Sequence, residues 1–299
     1  MKLKIVAPGR GWQWTRLGLR AFAKRPMSFA LLFSSVMGLV VLVDWVPLLA
    51  FVIVPVVPLL SLGFMIATRT VLDGGFPTPR VFVVPLQLDR SRRLAHLKLG
   101  MLYTASTFAI TGLVALVDSG GPPTSLEAAP VAASAPASRG ASGAAAPADT
   151  VGAPSAADAS AALAASPDAL SGVVLRFALA SLLAIPFWHA PALVHWGGQG
   201  CAQALFSSTL GCWRNRGALV IYLMSWFGLV LGCSVIGSVV LMLFGQPQWV
   251  MGTIVSLALA VGTMFYASLY FTFAECFVGA DGETLDAPVG PRSSPESSS

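Results

Sequence analysis

Residues 28–68 read SFALLFSSVMGLVVLVDWVPLLAFVIVPVVPLLSLGFMIAT, and the one charged side chain in that run is Asp44. A single straight helix over it would be about 60 Å long at 1.5 Å per residue, twice the thickness of a bilayer's hydrocarbon core. The run must therefore fold back on itself. Asp44-Trp45-Val46-Pro47 is the place to turn, because a proline is well suited to open the returning helix. That gives two spans, 28–45 and 47–68. Four further apolar segments of crossing length follow at 98–117, 172–195, 218–244 and 249–275. The last two are joined by Gln246-Pro247-Gln248, short enough to demand a tight antiparallel hairpin. The sequence predicts an all-α integral membrane helical bundle of six transmembrane helices, arranged as three hairpins with short cytoplasmic amphipathic segments.

Composition excludes the soluble alternative. Of 299 residues 56% are apolar and only 10% charged, against about 25% charged in a soluble domain. The mean hydropathy is +0.76. So little charge cannot coat a water-facing surface, which removes a cytosolic enzyme from consideration. Five regions follow: a basic amphipathic N-terminus (1–27), helices one to three (28–117), a linker (118–171), helices four to six (172–277) and a tail (278–299).

Basic residues predict the orientation, since Lys and Arg are retained on the cytoplasmic side. Seven of the eighteen precede the first span: Lys2, Lys4, Arg10, Arg16, Arg20, Lys24 and Arg25. Arg69, Arg80, Arg90, Arg92, Arg93 and Lys98 lie between the second and third spans, and Arg214 and Arg216 precede the fifth. An even number of crossings puts all three groups, and both termini, in the cytoplasm of a bacterial inner membrane. The first apolar run is too long for a cleavable signal peptide and reads as an uncleaved anchor. Cys201, Cys212 and Cys276 then fall on the reducing side and Cys233 inside a span, so no disulfide framework is expected.

The linker 118–171 consists mainly of Ala, Pro, Ser and Gly, with five acids and one base. It lacks the aromatic and long aliphatic residues that build a core, which predicts disorder outside the inner membrane. Its readings are a passive spacer or a partner-binding segment. With the linker set aside, Lys24-Arg25-Pro26, Arg90-Ser91-Arg92 and Arg214-Asn215-Arg216 recur at separations of 66 and 70 residues, each before an outward span. Glycines end the first two returning spans, at Gly74-Gly75 and Gly197-Gly198, where a left-handed cap is expected. The stretch 12–25 carries Arg16, Arg20 and Lys24 on one stripe and Trp14, Leu17 and Ala21 on another. With 80–89 and 201–213, it is expected to lie as an in-plane collar, bases toward anionic lipid.

Candidate chemistry is sparse. Asp44 and Arg176 both fall in the outer leaflet and are candidates for a structural ion pair across hairpins. The alternative is that Asp44 caps the turn while Arg176 snorkels outward. Arg69 and Glu275, at inner span ends, form a second candidate pair. His189 and His195 are six residues apart, whereas a helical metal pair sits at i and i+4, so no metal site is read there. No nucleophile–base pair, acid pair, phosphate loop, cofactor fingerprint or basic-aromatic nucleic-acid module is present in the sequence. Gly228 and Gly232 form one small-residue face and Gly252, Ser256 and Ala260 a second, for packing within the last hairpin or for a homodimer. Pro55, Pro58 and Pro186 interrupt spans two and four.

Gly11-Trp12-Gln13-Trp14, Arg25-Pro26, Ala190-Pro191-Ala192-Leu193-Val194, Ala204-Leu205-Phe206, Cys212-Trp213-Arg214-Asn215 and Ser268-Leu269-Tyr270-Phe271 make up a recognisable set of segments. Together they resemble an uncharacterised family of multi-pass inner-membrane proteins of Gram-negative bacteria. The resemblance covers most of the chain except the linker and the tail. It implies the location and brings no activity, substrate, cofactor or catalytic residue with it. The functional expectation is a non-enzymatic protein with an envelope-related scaffolding or partner-binding role. A small-solute transporter or channel is the alternative, and an intramembrane enzyme the third.

Overall fold

Pro26 separates the first two helices. A proline disfavours helical geometry in the residue before it, and Arg25 sits at φ −145° between helix α1 (Arg10–Lys24) and helix α2 (Pro26–Trp45). The computed structural model describes residues 1–118, 178–245 and 249–278. The expected linker, the outer-leaflet Arg176, the 246–248 turn and the tail beyond 278 lie outside the described residues.

After α2 the chain turns where Pro47 predicts it, through a 3-10 turn at Pro47–Leu49. The returning span is a chain of short pieces: a helical turn at Ala50–Ile53, a 3-10 turn at Val54–Val56, and then helix α3 (Val57–Leu72). Pro55 and Pro58 account for the breaks, since neither ring nitrogen can donate to the helical ladder. α3 ends at Gly74, whose φ of +83° is the left-handed cap foreseen for it; Gly75 N–H then donates to the Thr70 carbonyl at 2.8 Å. Helix α4 (Arg90–Asp118) starts eight residues before the expected span, with Asp89 Oδ2 receiving the Arg92 backbone N–H. Residues 178–187 are helical, and after Trp188-His189 the chain continues as α5 (Ala190–Gly197), closed by Gly198 at φ +62°. Then follow α6 (Cys201–Arg214), α7 (Arg216–Leu243) and α8 (Val250–Cys276). Six helices are long and apolar enough to cross a membrane: Pro26–Val43, Phe51–Leu72, Arg90–Val114, Ala178–Gly197, Arg216–Leu243 and Ser256–Cys276.

The chain forms two compact units, one of Met1–Thr104 with Ile185–Ser299 and one of Ala105–Ala184. In the second, the described residues are the remainder of α4 and helical residues 178–184. The first holds the core. Phe29, Leu32 and Val36 of α2 meet Phe64, Ala67 and Val71 of α3, with Val81 and Ala267 closing the cluster. Thr68 Oγ1 donates to the Ala267 carbonyl at 2.8 Å, so α3 is tied to the last span as well as to its hairpin neighbour. The segment 80–89 forms two 3-10 turns, and its Phe82 packs edge-on to Phe64 in the space that Gly63 leaves open. Gly100 does the same on α4, where a side chain would overlap the Pro55 carbonyl.

Two-residue strands β1 (Lys2–Leu3) and β2 (Phe277–Val278) pair antiparallel, Lys2 opposite Val278 and Leu3 opposite Phe277. This pairing brings the segment before α1 against the end of α8.

Candidate functional site at the basic end

α1 is hydrogen-bonded to α8 through Glu275 and packs closely on α7. An amphipathic helix can lie on lipid or on protein; α1 lies on protein. Its buried residues are Gly11, Trp14, Thr15, Gly18 and Ala21, at the 3–4 residue spacing of one helical stripe. Two of these are glycines because the backbones touch. A side chain on Gly11 would overlap the Ala218 carbonyl of α7, and one on Gly18 would overlap Ser268 of α8. The opposite face, with Arg16, Arg20 and Lys24, is exposed. The in-plane collar is thus corrected at its first member: the apolar stripe that reads as lipid-facing is covered by α7 and α8.

Trp14 is fully buried, and its indole Nε1 donates to Glu275 Oε2 at 2.9 Å. Arg10 Nε donates to the same oxygen at 2.8 Å, while Arg10 Nη2 pairs with Oε1 and Arg10 Nη1 with Gln13. The two-pronged bond is the strongest geometry available to a guanidinium and a carboxylate, and it raises the Arg10 pKa above its ordinary value. It also corrects the expected Arg69–Glu275 pair: Glu275 is occupied by Arg10. Beside it a recess of about 500 Å³ opens, lined by Lys4, Val6, Arg10, Glu275 and Val278 among others.

Asn215, at the break between α6 and α7, clamps the N-terminal segment. Its Oδ1 accepts the Val6 N–H at 2.8 Å, and its Nδ2 donates to the carbonyls of Lys4 (3.0 Å) and Gly211 (3.1 Å). Tyr222, fully buried under Trp14, shares a 2.5 Å hydrogen bond with Ser268.

His189 is satisfied inside the protein. Thr272 commits its proton to the Leu269 carbonyl (2.7 Å), so the His189 Nε2–H donates to Thr272 Oγ1 at 3.2 Å. Nδ1 then faces Cys212 Sγ at 3.7 Å, and the His189 backbone N–H donates to Ser208 Oγ at 3.0 Å. A buried thiol against a histidine has the outline of a nucleophile and its base. Burial acts against that: it pushes the Cys212 pKa up to about 12, which leaves the thiol protonated. Among the described residues no group of three or more His, Cys, Asp or Glu side chains has metal-holding geometry.

Asp44 lies in the last turn of α2, and its expected partner Arg176 lies outside the described residues. The small-residue faces are open. A Cβ on Gly228, Gly232 or Gly252 would meet nothing within 4 Å among the described residues, and Ser256 is exposed. The last hairpin approaches instead at Gly237, 3.7 Å from Thr253 as measured to an added Cβ. Sequence reasoning missed the glycines that do carry close contacts, Gly11, Gly18, Gly63, Gly100 and Gly211. The signal for the first two was present: they share one helical stripe with Trp14.

These features define a multi-pass helical membrane protein whose N-terminal helix is part of its packed interior. Over 287 residues the chain is 28% identical to a probable inner membrane protein of Burkholderia thailandensis, covering 93% of this chain and 94% of that protein. With six apolar helices and that likeness, the chain is a multi-pass inner-membrane protein. No family model matches it, and no solved structure matches it.

Proposed function

We propose that this protein is a non-catalytic inner-membrane scaffold that presents the outer face of α1 on the cytoplasmic side to an acidic partner or to anionic headgroups. One observation carries the reading. α1 is fixed on one face by Trp14, Glu275 and two glycine contacts, while Arg16, Arg20 and Lys24 stand exposed on the other. A charged helix held rigidly in this way has already met its ordering cost, so a partner does not have to bear it. The abundance of Lys and Arg at this end supports the cytoplasmic assignment.

The test uses the full chain in cells that depend on it. Arg16→Gln, Arg20→Gln and Lys24→Gln combined should abolish function while abundance and thermal stability stay at wild-type levels. If that triple variant works normally, and His189→Gln instead removes function without lowering abundance, an enzymatic role replaces this one. Reporter fusions at residue 285 should be active only in the cytoplasm, and fusions within 118–171 only outside it; the reverse pattern would sink the proposed orientation.

A further inference from the structure

Away from α1, the start of α4 meets the end of α5 in a corner rich in nitrogen donors and short of acceptors. His96 is 1% exposed, and neither of its ring nitrogens has a hydrogen-bond partner among the described residues. His195 Nδ1 is likewise buried and without one. The two rings face each other with centroids 6.4 Å apart, tilted by 47°. Arg92 binds the rim: its Nη1 donates to the His195 carbonyl at 3.0 Å and its Nε lies 3.3 Å from Asp89. Arg69, half-buried in the last turn of α3, acts with Arg92 on the His195 ring through its charge. Among the described residues Arg69 has no acidic partner, since Glu275 is taken by Arg10 and Asp89 by Arg92.

A neutral imidazole always carries one N–H, and burying that N–H without an acceptor costs free energy. The buried His96 ring, the buried Nδ1 of the partly buried His195 and a half-buried guanidinium with no acidic partner among the described residues together describe the lining of an anion site. Imidazole nitrogens also bind metals, but the Arg69 charge, without an acidic partner among the described residues, opposes a cation. Arg92 and His96 of α4 meet His195 of α5 directly, and the charge of Arg69 on α3 reaches the His195 ring. A tetrahedral group with several oxygens satisfies such a set better than a planar carboxylate with two. We infer that Arg69, Arg92, His96 and His195 form a binding site for a phosphate group. It lies where spans two and four end and span three begins, the depth of lipid headgroups, so the phosphate belongs either to an anionic lipid or to a soluble phosphate ester. The inference does not depend on α1, none of whose residues takes part.

The experiment is native mass spectrometry of the full-length chain in mild detergent with added phosphatidylglycerol or phosphatidylcholine, and separately with inorganic phosphate. The wild type should retain one phosphatidylglycerol and discriminate against phosphatidylcholine. Arg69→Gln and His195→Gln should each weaken retention at least about tenfold, the effect of losing one charge-assisted contact, while Arg214→Gln leaves it unchanged. Phosphatidylglycerol displaced by millimolar inorganic phosphate assigns the site to a soluble ester; phosphatidylglycerol that resists assigns it to lipid. The proposal falls if the wild type binds neither probe above the phosphatidylcholine level. It falls too if either variant, folded by circular dichroism, binds as the wild type does, or if the protein retains zinc that His96→Gln releases. Should Arg69→Gln fail to fold, His195→Gln and the wild-type comparison decide.

Discussion

α7 and α8 are neighbours in sequence with opposite fates. The most apolar 18-residue stretch of α7 has the higher mean hydropathy, 2.2 against 1.5 for that of α8, yet only 6% of it is buried in the protein, against 56%. From Phe227 to Phe244 the long side chains of α7 are mostly exposed, whereas Ala267–Ala274 of α8 is buried throughout. Lipid tails are as apolar as leucine, so hydropathy decides what enters the bilayer and says little about what packs within it. Packing here follows small residues and hydrogen bonds. α8 supplies Ala267, Ser268, Thr272 and Glu275, each in contact with another element; Gly228 and Gly232 of α7 have room for a side chain that would meet nothing among the described residues.

Gly18→Leu should test that contrast most severely. The added side chain must displace α8 at Ser268, at a cost of about 3 kcal/mol, read as a lowered unfolding temperature in detergent. Next comes thiol access. With its pKa pushed up to about 12, Cys212 should react with a maleimide at pH 8 at least about a hundredfold more slowly than an exposed thiol; prompt labelling in the folded protein would mean that the contact of α6 with His189 opens. Glu275→Ala leaves the buried Trp14 indole without its acceptor, which costs about 2 kcal/mol. Arg10, nearly half exposed, should matter less when replaced by Ala. Smallest of all, Gly232→Leu should change stability by no more than about 0.5 kcal/mol. If it instead converts a dimer to a monomer in light scattering, a second copy of the chain covers that face.

The spans were legible because crossing a bilayer imposes a length and forbids charge, two constraints that leave a plain trace in the order of residues. Asp44 and Pro47 mark the first turn, and Gly74 and Gly198 cap the helices they were expected to cap. The destination of α1 was not legible. Trp14 and Ala21 on an apolar stripe look the same whether lipid or protein covers them, and only Gly11 and Gly18 between them hint at a backbone neighbour. The Gly228 and Gly232 spacing failed in the other direction, since small residues permit an approach without supplying a partner. Glu275 was visible as a charge at the end of a span. Its choice of Arg10 over Arg69 depends on α1 returning across 265 residues of chain, which no local pattern encodes.

The β1–β2 pairing and the seat of α1 bear on how the molecule is made. α1 rests on α7 and α8, which are made long after it, so until they are inserted it has nowhere to go. Contacts of such long sequence separation form late, and until they do α1 exposes its Trp14 stripe to whatever lies near, the membrane surface or a chaperone. A chain halted before α7 would keep that stripe bare. Seating α1 is therefore a report that α7 and α8 have arrived, and a bare stripe marks a bundle left unfinished.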